Sequence, residues 1–157
     1  MAWEFSLLVV ANVTAGSDEL IASLRDRADR GACRFTLVMP AGGPDSRTRL
    51  DEALDRMRAA GLENVEGKVG DPDPVVAVMD MWDPMKFDEV IVSTLPTGSS
   101  RWLGLDLPHR LEKLTSVPVR HVVSQPPREE VPAGPPPEKP KRMGGVLTAL
   151  GALMTRR

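Results

Sequence analysis

A chain of 157 residues, 41% hydrophobic and 27% charged, is long enough for one domain with a real core plus a short appendage, and its composition is that of an ordinary soluble protein. A net charge of −2 gives no strong electrostatic pull toward nucleic acid, and the lack of tyrosine removes much of what stacks on single strands. One cysteine, Cys33, excludes an internal disulfide and a Cys-rich metal site, and no stretch approaches the roughly 18 apolar residues that cross a bilayer.

The charge is unevenly spread. Met1 to Val123 carries fourteen Lys/Arg against nineteen Asp/Glu, whereas Ser124 to Arg157 carries six against three, giving an acidic body and a basic tail. The apolar run Leu7 to Ala11 is short, follows Glu4 and has no basic residue before it, so it does not read as a secretory signal. The expectation is a cytoplasmic protein. Cys33 reads as a small buried hydrophobe, and His109 and His121 as surface residues without zinc-site spacing.

Phe5 to Ala11 is nearly all apolar and includes the β-branched Val9 and Val10, as a central strand covered on both faces should. Asn12 to Gly16 ends it. Ser17 is placed to cap a helix whose first turn holds Asp18 and Glu19, with Leu20, Ile21, Leu24 and Ala28 at helical spacing and Gly31 as its stop. Arg34 to Met39 reads as a second strand stopped by Pro40. Asp45 or Ser46 then caps a helix with Leu50, Leu54 and Met57 on one face, ended by Gly61.

Val65 to Val69 is a more polar strand suited to a sheet edge. Asp71-Pro72-Asp73-Pro74 is a strong helix start, because either Asp can cap and the following proline fits the first helical position. Val75, Val78, Met79 and Trp82 supply that helix's apolar stripe, and Asp83-Pro84 closes it.

Val90-Ile91-Val92 is a buried strand that breaks into Ser93 to Ser100, a loop of small and hydroxyl residues, and then into a helix with Leu107, Leu111 and Leu114 on one face. Strand, small-residue loop and helix together can present backbone N–H groups to phosphate. The same residues also suit an ordinary turn and cap. Val117 to Val123 gives a fifth strand.

Alternation of strands and helices with short links implies a five-stranded parallel sheet with helices on both faces. Ligands of such sheets sit beyond the carboxyl ends of the strands, where the strand order reverses. With the first and fourth strands side by side, the walls of that crevice are Asn12 to Gly16 and Ser93 to Ser100. Residues 1–124 form this domain. Residues 125–143 hold seven prolines and read as an extended linker, and 144–157 as a short amphipathic helix with Val146, Leu147, Leu150, Leu153 and Met154 in one stripe.

The ordered set Val65-Glu66-Gly67-Lys68-Val69-Gly70-Asp71-Pro72, Phe87-Asp88-Glu89-Val90-Ile91-Val92 and Ser116-Val117-Pro118-Val119 resembles the universal stress protein family. The resemblance covers about Phe5 to Val123. It implies an adenine-nucleotide α-hydrolase-like, Rossmann-like fold with strand order 3-2-1-4-5, and a binding or regulatory role in the stress response. ATP-binding members of the family carry Gly-x-x-Gly-x(9)-Gly-Ser/Thr after strand four. Here the glycine positions hold Ser93, Pro96 and about Asp106, so the defining glycines are missing although Gly98 and Gly104 lie nearby. Proline removes an N–H donor, and Asp106 places negative charge near a polyphosphate. The family's Asp-x-Ser at the end of strand one reads Asn12-Val13-Thr14, and Val38 falls in the region that lines the adenine pocket.

Two functions stay open. In the first, ATP or a related adenine nucleotide is held by Asn12, Val13, Thr14, Val38, Ser93, Thr97, Gly98, Ser99, Ser100 and Arg101. In the second, the chain is a non-nucleotide interaction module: a homodimer through its last strand, with the C-terminal helix docking on a protein partner or a membrane surface. No catalytic constellation is visible, which argues against an enzyme.

Overall fold

The structure, a computed structural model, describes residues 3–96, 98 and 100–125. The proline-rich linker beyond Gln125 and the helix expected at 144–157 lie outside the described residues, as do Thr97 and Ser99. Ten elements follow in order: β1 (Phe5–Val10), α1 (Asp18–Asp29), β2 (Cys33–Pro40), α2 (Ser46–Ala59), β3 (Val65–Gly70), α3 (Pro74–Met81), β4 (Glu89–Thr94), α4 (Arg101–Gly104), α5 (Leu107–Thr115) and β5 (Val119–Val123).

The five strands form one parallel sheet in the order β3-β2-β1-β4-β5. Leu7, Leu8, Val9 and Val10 of β1 are all fully buried, so both faces of the central strand are covered. Burial of each such side chain contributes about 1.5–3 kcal/mol.

Strand alternation sends the two sets of side chains to different helices. Leu7, Val9, Leu37 and Ile91 pack with Leu20 and Leu24 of α1 and with Leu50, Leu54 and Met57 of α2. Leu8, Val10, Val90 and Val92 pack on the other face with Ala77 and Val78 of α3 and with Leu107 and Leu111 of α5. The chain changes face between α2 and α3, which puts the reversal of strand order between β1 and β4.

Local chemistry accounts for most element ends. Ser17 Oγ accepts from Leu20 N–H at 3.2 Å and opens α1. Asp73 Oδ1 accepts from Val75 and Val76 N–H and opens α3, with Pro74 behind it. Gly61 follows α2 at φ +96°, a conformation glycine adopts without strain.

Other expectations are corrected. The Asp45 side chain makes no capping bond; Ser46 Oγ instead closes the preceding turn, donating to Gly43 O and accepting from Gly42 N–H. Two stops hold: α1 ends at Asp29 with Arg30 as its cap and Gly31 directly beyond, and β2 ends at Pro40, which pairs with Gly70. Met79 is 38% exposed, and the buried face of α3 is Pro74, Ala77 and Val78, because those are the positions that meet the sheet.

The helix expected after β4 is two helices, broken at Asp106, which lies in the left-handed region at φ 53°. Leu107, Leu111 and Leu114 all fall within α5, but its buried row follows i, i+4 steps. Thr115, not Leu114, then joins Leu107 and Leu111 in the i, i+4, i+8 row, and Leu114 is 50% exposed. Cys33 opens β2 half-buried rather than buried, its thiol donating weakly to Arg27 O at 3.6 Å.

Candidate functional site

β1 and β4 are neighbours in the sheet and both run toward the same end, so the loops that leave them face each other. Between them lies a cavity of about 240 Å³. Asn12, Val13 and Thr14 form one wall, and Ser93, Thr94 and Leu95 the other. Ser100, Arg101 and Trp102, at the start of α4, close the third side, and the surface of the cavity is mostly apolar.

The polar side chains here are already engaged. Thr14 Oγ1 and Ser93 Oγ lie 2.7 Å apart, and Ser93 Oγ is 3.0 Å from Ser124 Oγ. All three are buried, Thr14 and Ser93 to 1% exposure. This hydroxyl chain ties the β1 loop, the end of β4 and the residue after β5 together, and it leaves little donor capacity for a ligand.

Asn12 is held just as firmly. Its Nδ2 donates to Pro40 O at 3.1 Å, and its Oδ1 accepts from Arg49 Nη2 at 2.8 Å. Ser100 Oγ accepts from Leu103 N–H and caps α4. Arg101 makes no ion pair among the described residues and is exposed.

On the other face of β4, Thr94 Oγ1 donates to Leu95 O at 2.9 Å and lies 2.6 Å from His121 Nε2. Partial burial of His121 pushes its pKa below the ordinary 6.5.

Of the residues read from sequence as a nucleotide site, Asn12, Val13, Thr14, Ser93, Ser100 and Arg101 come together around this cavity. Val38 does not: it is fully buried beneath the sheet's end, among Leu8, Val10 and Val92, because its position in β2 points it into the core. Gly98 is exposed at φ +93° and is not part of the lining. Thr97 and Ser99 lie outside the described residues.

Sequence reading left out Arg49, which sits 37 residues from the Asn12 it binds, a pairing without any local signature. Trp102, which its place directly after the loop marks in the sequence as a packing residue or a pocket-lining one, does line the cavity. No cluster of three or more His, Cys, Asp or Glu among the described residues could hold a metal ion. No helix among them is long and apolar enough to cross a membrane.

No protein-family model and no curated protein matches the sequence. Solved structures do. A universal stress protein in complex with cAMP aligns over 80% of this chain and 100% of its own length, with a TM-score of 0.60 at 21% identity. The fold is that of the universal stress proteins. The protein Rv1636 from Mycobacterium tuberculosis H37Rv aligns over 77% of this chain and 95% of its own, at 24% identity and a TM-score of 0.43. The universal stress protein fold, with its five parallel strands in the order 3-2-1-4-5, is therefore the framework on which the cleft sits.

Proposed function

We propose that the chain is a universal stress protein-like regulatory protein whose cleft binds an adenine nucleotide carrying one phosphate rather than a triphosphate. The observation that carries this reading is the cavity between the Asn12–Thr14 and Ser93–Trp102 walls, in a fold shared with a protein seen in complex with cAMP. Its surface suits a flat heterocycle better than a polyphosphate. The loop that would cradle a triphosphate carries Pro96, which has no N–H, and the hydroxyls of Thr14 and Ser93 are spent on each other.

The test is calorimetric titration with cAMP, AMP and magnesium ATP, supported by thermal melts. Saturation by cAMP or AMP at a hundredfold excess over Kd stabilises the native state by about 2.7 kcal/mol, a rise of a few degrees in Tm, and ATP binds more weakly. No heat and no shift with any of the three at millimolar concentration refutes the reading.

A second reading rests on β5, which has β4 as its only partner strand among the described residues and leaves Arg120, His121 and Val123 exposed. An open edge strand of this kind supports self-association through the last strand into a homodimer. Light scattering behind size exclusion tests it: a monomer mass at all concentrations rules it out.

A further inference from the structure

The opposite end of the sheet holds a second cavity, of about 310 Å³. It arises from a mismatch of lengths. α3 turns back from the carboxyl ends of the strands and stops after eight residues, about 12 Å of helix, whereas the eight residues of β2 extend about 26 Å. The amino-terminal part of that face therefore has no helix over it, and its side chains change from apolar to polar. Leu8 and Val38, packed with α3, are fully buried. Two residues earlier in the same strands stand Ser6 and Thr36, and Glu66 of β3 pairs with Thr36. Thr36, only 5% exposed, and Ser6 lie among the lining, and Lys86 and Phe87, from the segment entering β4, form the side away from Glu66.

The charges around this cavity are divided. Glu4 and Arg34, which complete the lining, spend theirs on each other, with Arg34 Nε 3.2 Å from Glu4 Oε1. Glu66 has a long bond of 3.4 Å from the Thr36 hydroxyl and no ion pair among the described residues, not even with Lys68 two places along β3. Lys86 makes no ion pair among them either. Its neighbour in sequence, Asp88, does not line the cavity, and Asp88 Oδ2 accepts from Ser6 N–H at 2.9 Å. An unpaired carboxylate and an unpaired ammonium thus border one space from opposite sides, with the Ser6 and Thr36 hydroxyls between them.

We infer that this cavity binds a small linear zwitterion of dipeptide size, its ammonium against Glu66 and its carboxylate against Lys86. The inference does not depend on the nucleotide reading of the cleft. The lining sums to neutral, two acids and two bases, so a ligand with both signs suits it better than one of net charge. β3 and β1 lie two strand spacings apart, about 10 Å, and Lys86 comes from the β4 side of β1. That separation favours charged ends held apart by a peptide unit over the adjacent ends of a single α-amino acid. The volume is at the small end for ligand pockets, and the two hydroxyls can meet the peptide group between the ends.

The experiment titrates the full chain with alanylalanine and follows backbone amides by two-dimensional NMR. The amides of Ser6, Thr36 and Glu66 shift saturably with a Kd of about 1 mM or below, while those of Thr14 and Ser93 stay in place. Glu66→Gln lowers affinity for the dipeptide about tenfold but leaves that for N-acetylalanylalanine, which has no ammonium, unchanged. Lys86→Gln also lowers dipeptide affinity, and its indifferent ligand is alanylalaninamide, which has no carboxylate. Both residues are exposed, so neither substitution endangers the fold. The placement is overturned if the dipeptide gives no saturable shift at about 10 mM, if the shifts gather at the cleft, or if either variant keeps the wild-type ratio between the dipeptide and its capped form. Equal affinity for free alanine overturns the dipeptide class.

Discussion

Thr14 and Ser93, 79 residues apart in the chain, share a hydrogen bond of 2.7 Å inside the protein, at the seam where the two cleft loops diverge. Ser93 is the middle of three hydroxyls, so Ser93→Ala strands both Thr14 and Ser124. We expect a loss of about 1–3 kcal/mol, because a buried hydroxyl without a partner carries its full desolvation cost. Thr14→Val keeps the shape and leaves Ser93 paired to Ser124, so its loss is smaller. The double variant loses less than the sum of the two single ones. Urea midpoints measure all three, and strict additivity would show that the hydroxyls do not act as a chain.

A methyl group at Gly70 would lie 2.8 Å from Ala77 Cβ and 3.3 Å from its Cα. The second of these is backbone and cannot swing aside. Gly70→Ala therefore pushes α3 off β3 and destabilises the protein by about 1–3 kcal/mol, as overpacking does. Gly31→Ala, with open space around it, is the control and leaves Tm within a degree or two. Equal melting temperatures for the two variants would count against the close helix–strand contact.

His121 gives stability a pH dependence of definite sign. Burial lowers its pKa in the folded chain below 6.5, so between that lowered value and 6.5 the unfolded chain binds more protons. Stability contributed by the neutral ring is thus present above 6.5 and is lost as pH falls through the folded pKa. His121→Gln flattens this part of the profile. The midpoint for His121 in a proton NMR titration should fall below that of a histidine peptide; a midpoint at or above it contradicts the assignment.

Cys33 should be a sluggish thiol. Desolvation raises its pKa, outweighing the opposing pull of the Arg27 guanidinium, so less thiolate is present at pH 8 than in a free cysteine. Iodoacetamide should label the folded protein more slowly than a cysteine peptide, and urea should restore the peptide rate. Equal rates in the two states would contradict the raised pKa.

Much of the sheet was legible because its strands announce themselves. β1 and β4 are apolar on both faces, β3 is polar enough to read as an edge, and Asp71-Pro72-Asp73-Pro74 marks a helix start, which falls at the second Asp-Pro. The helix after β4 was misread as continuous. Its signal was present in Pro108, which suits a first helical turn far better than a helix interior, but a non-glycine residue in the left-handed region at Asp106 has no sequence mark of its own.

The candidate site was legible in part. Adjacent central strands bring Asn12 and Ser93 together whatever the details, so the two walls could be placed from topology. Side-chain commitments could not. That Thr14 spends its hydroxyl on Ser93, that Arg49 reaches Asn12, and that Val38 turns into the core all depend on register and on contacts between distant segments.

The place of β1 in the sheet also dictates a hazard during synthesis. Its first neighbour, β2, leaves the ribosome soon after it, but the strand on its other side follows 82 residues behind, as the pairing of Leu7 with Glu89 requires. Until Glu89–Thr94 emerges, the nascent chain holds a half-built layer whose most apolar strand has one open edge. Ribosome-stalled chains ending before Glu89 should therefore recruit chaperones or aggregate, while those long enough to expose β4 should resist proteolysis.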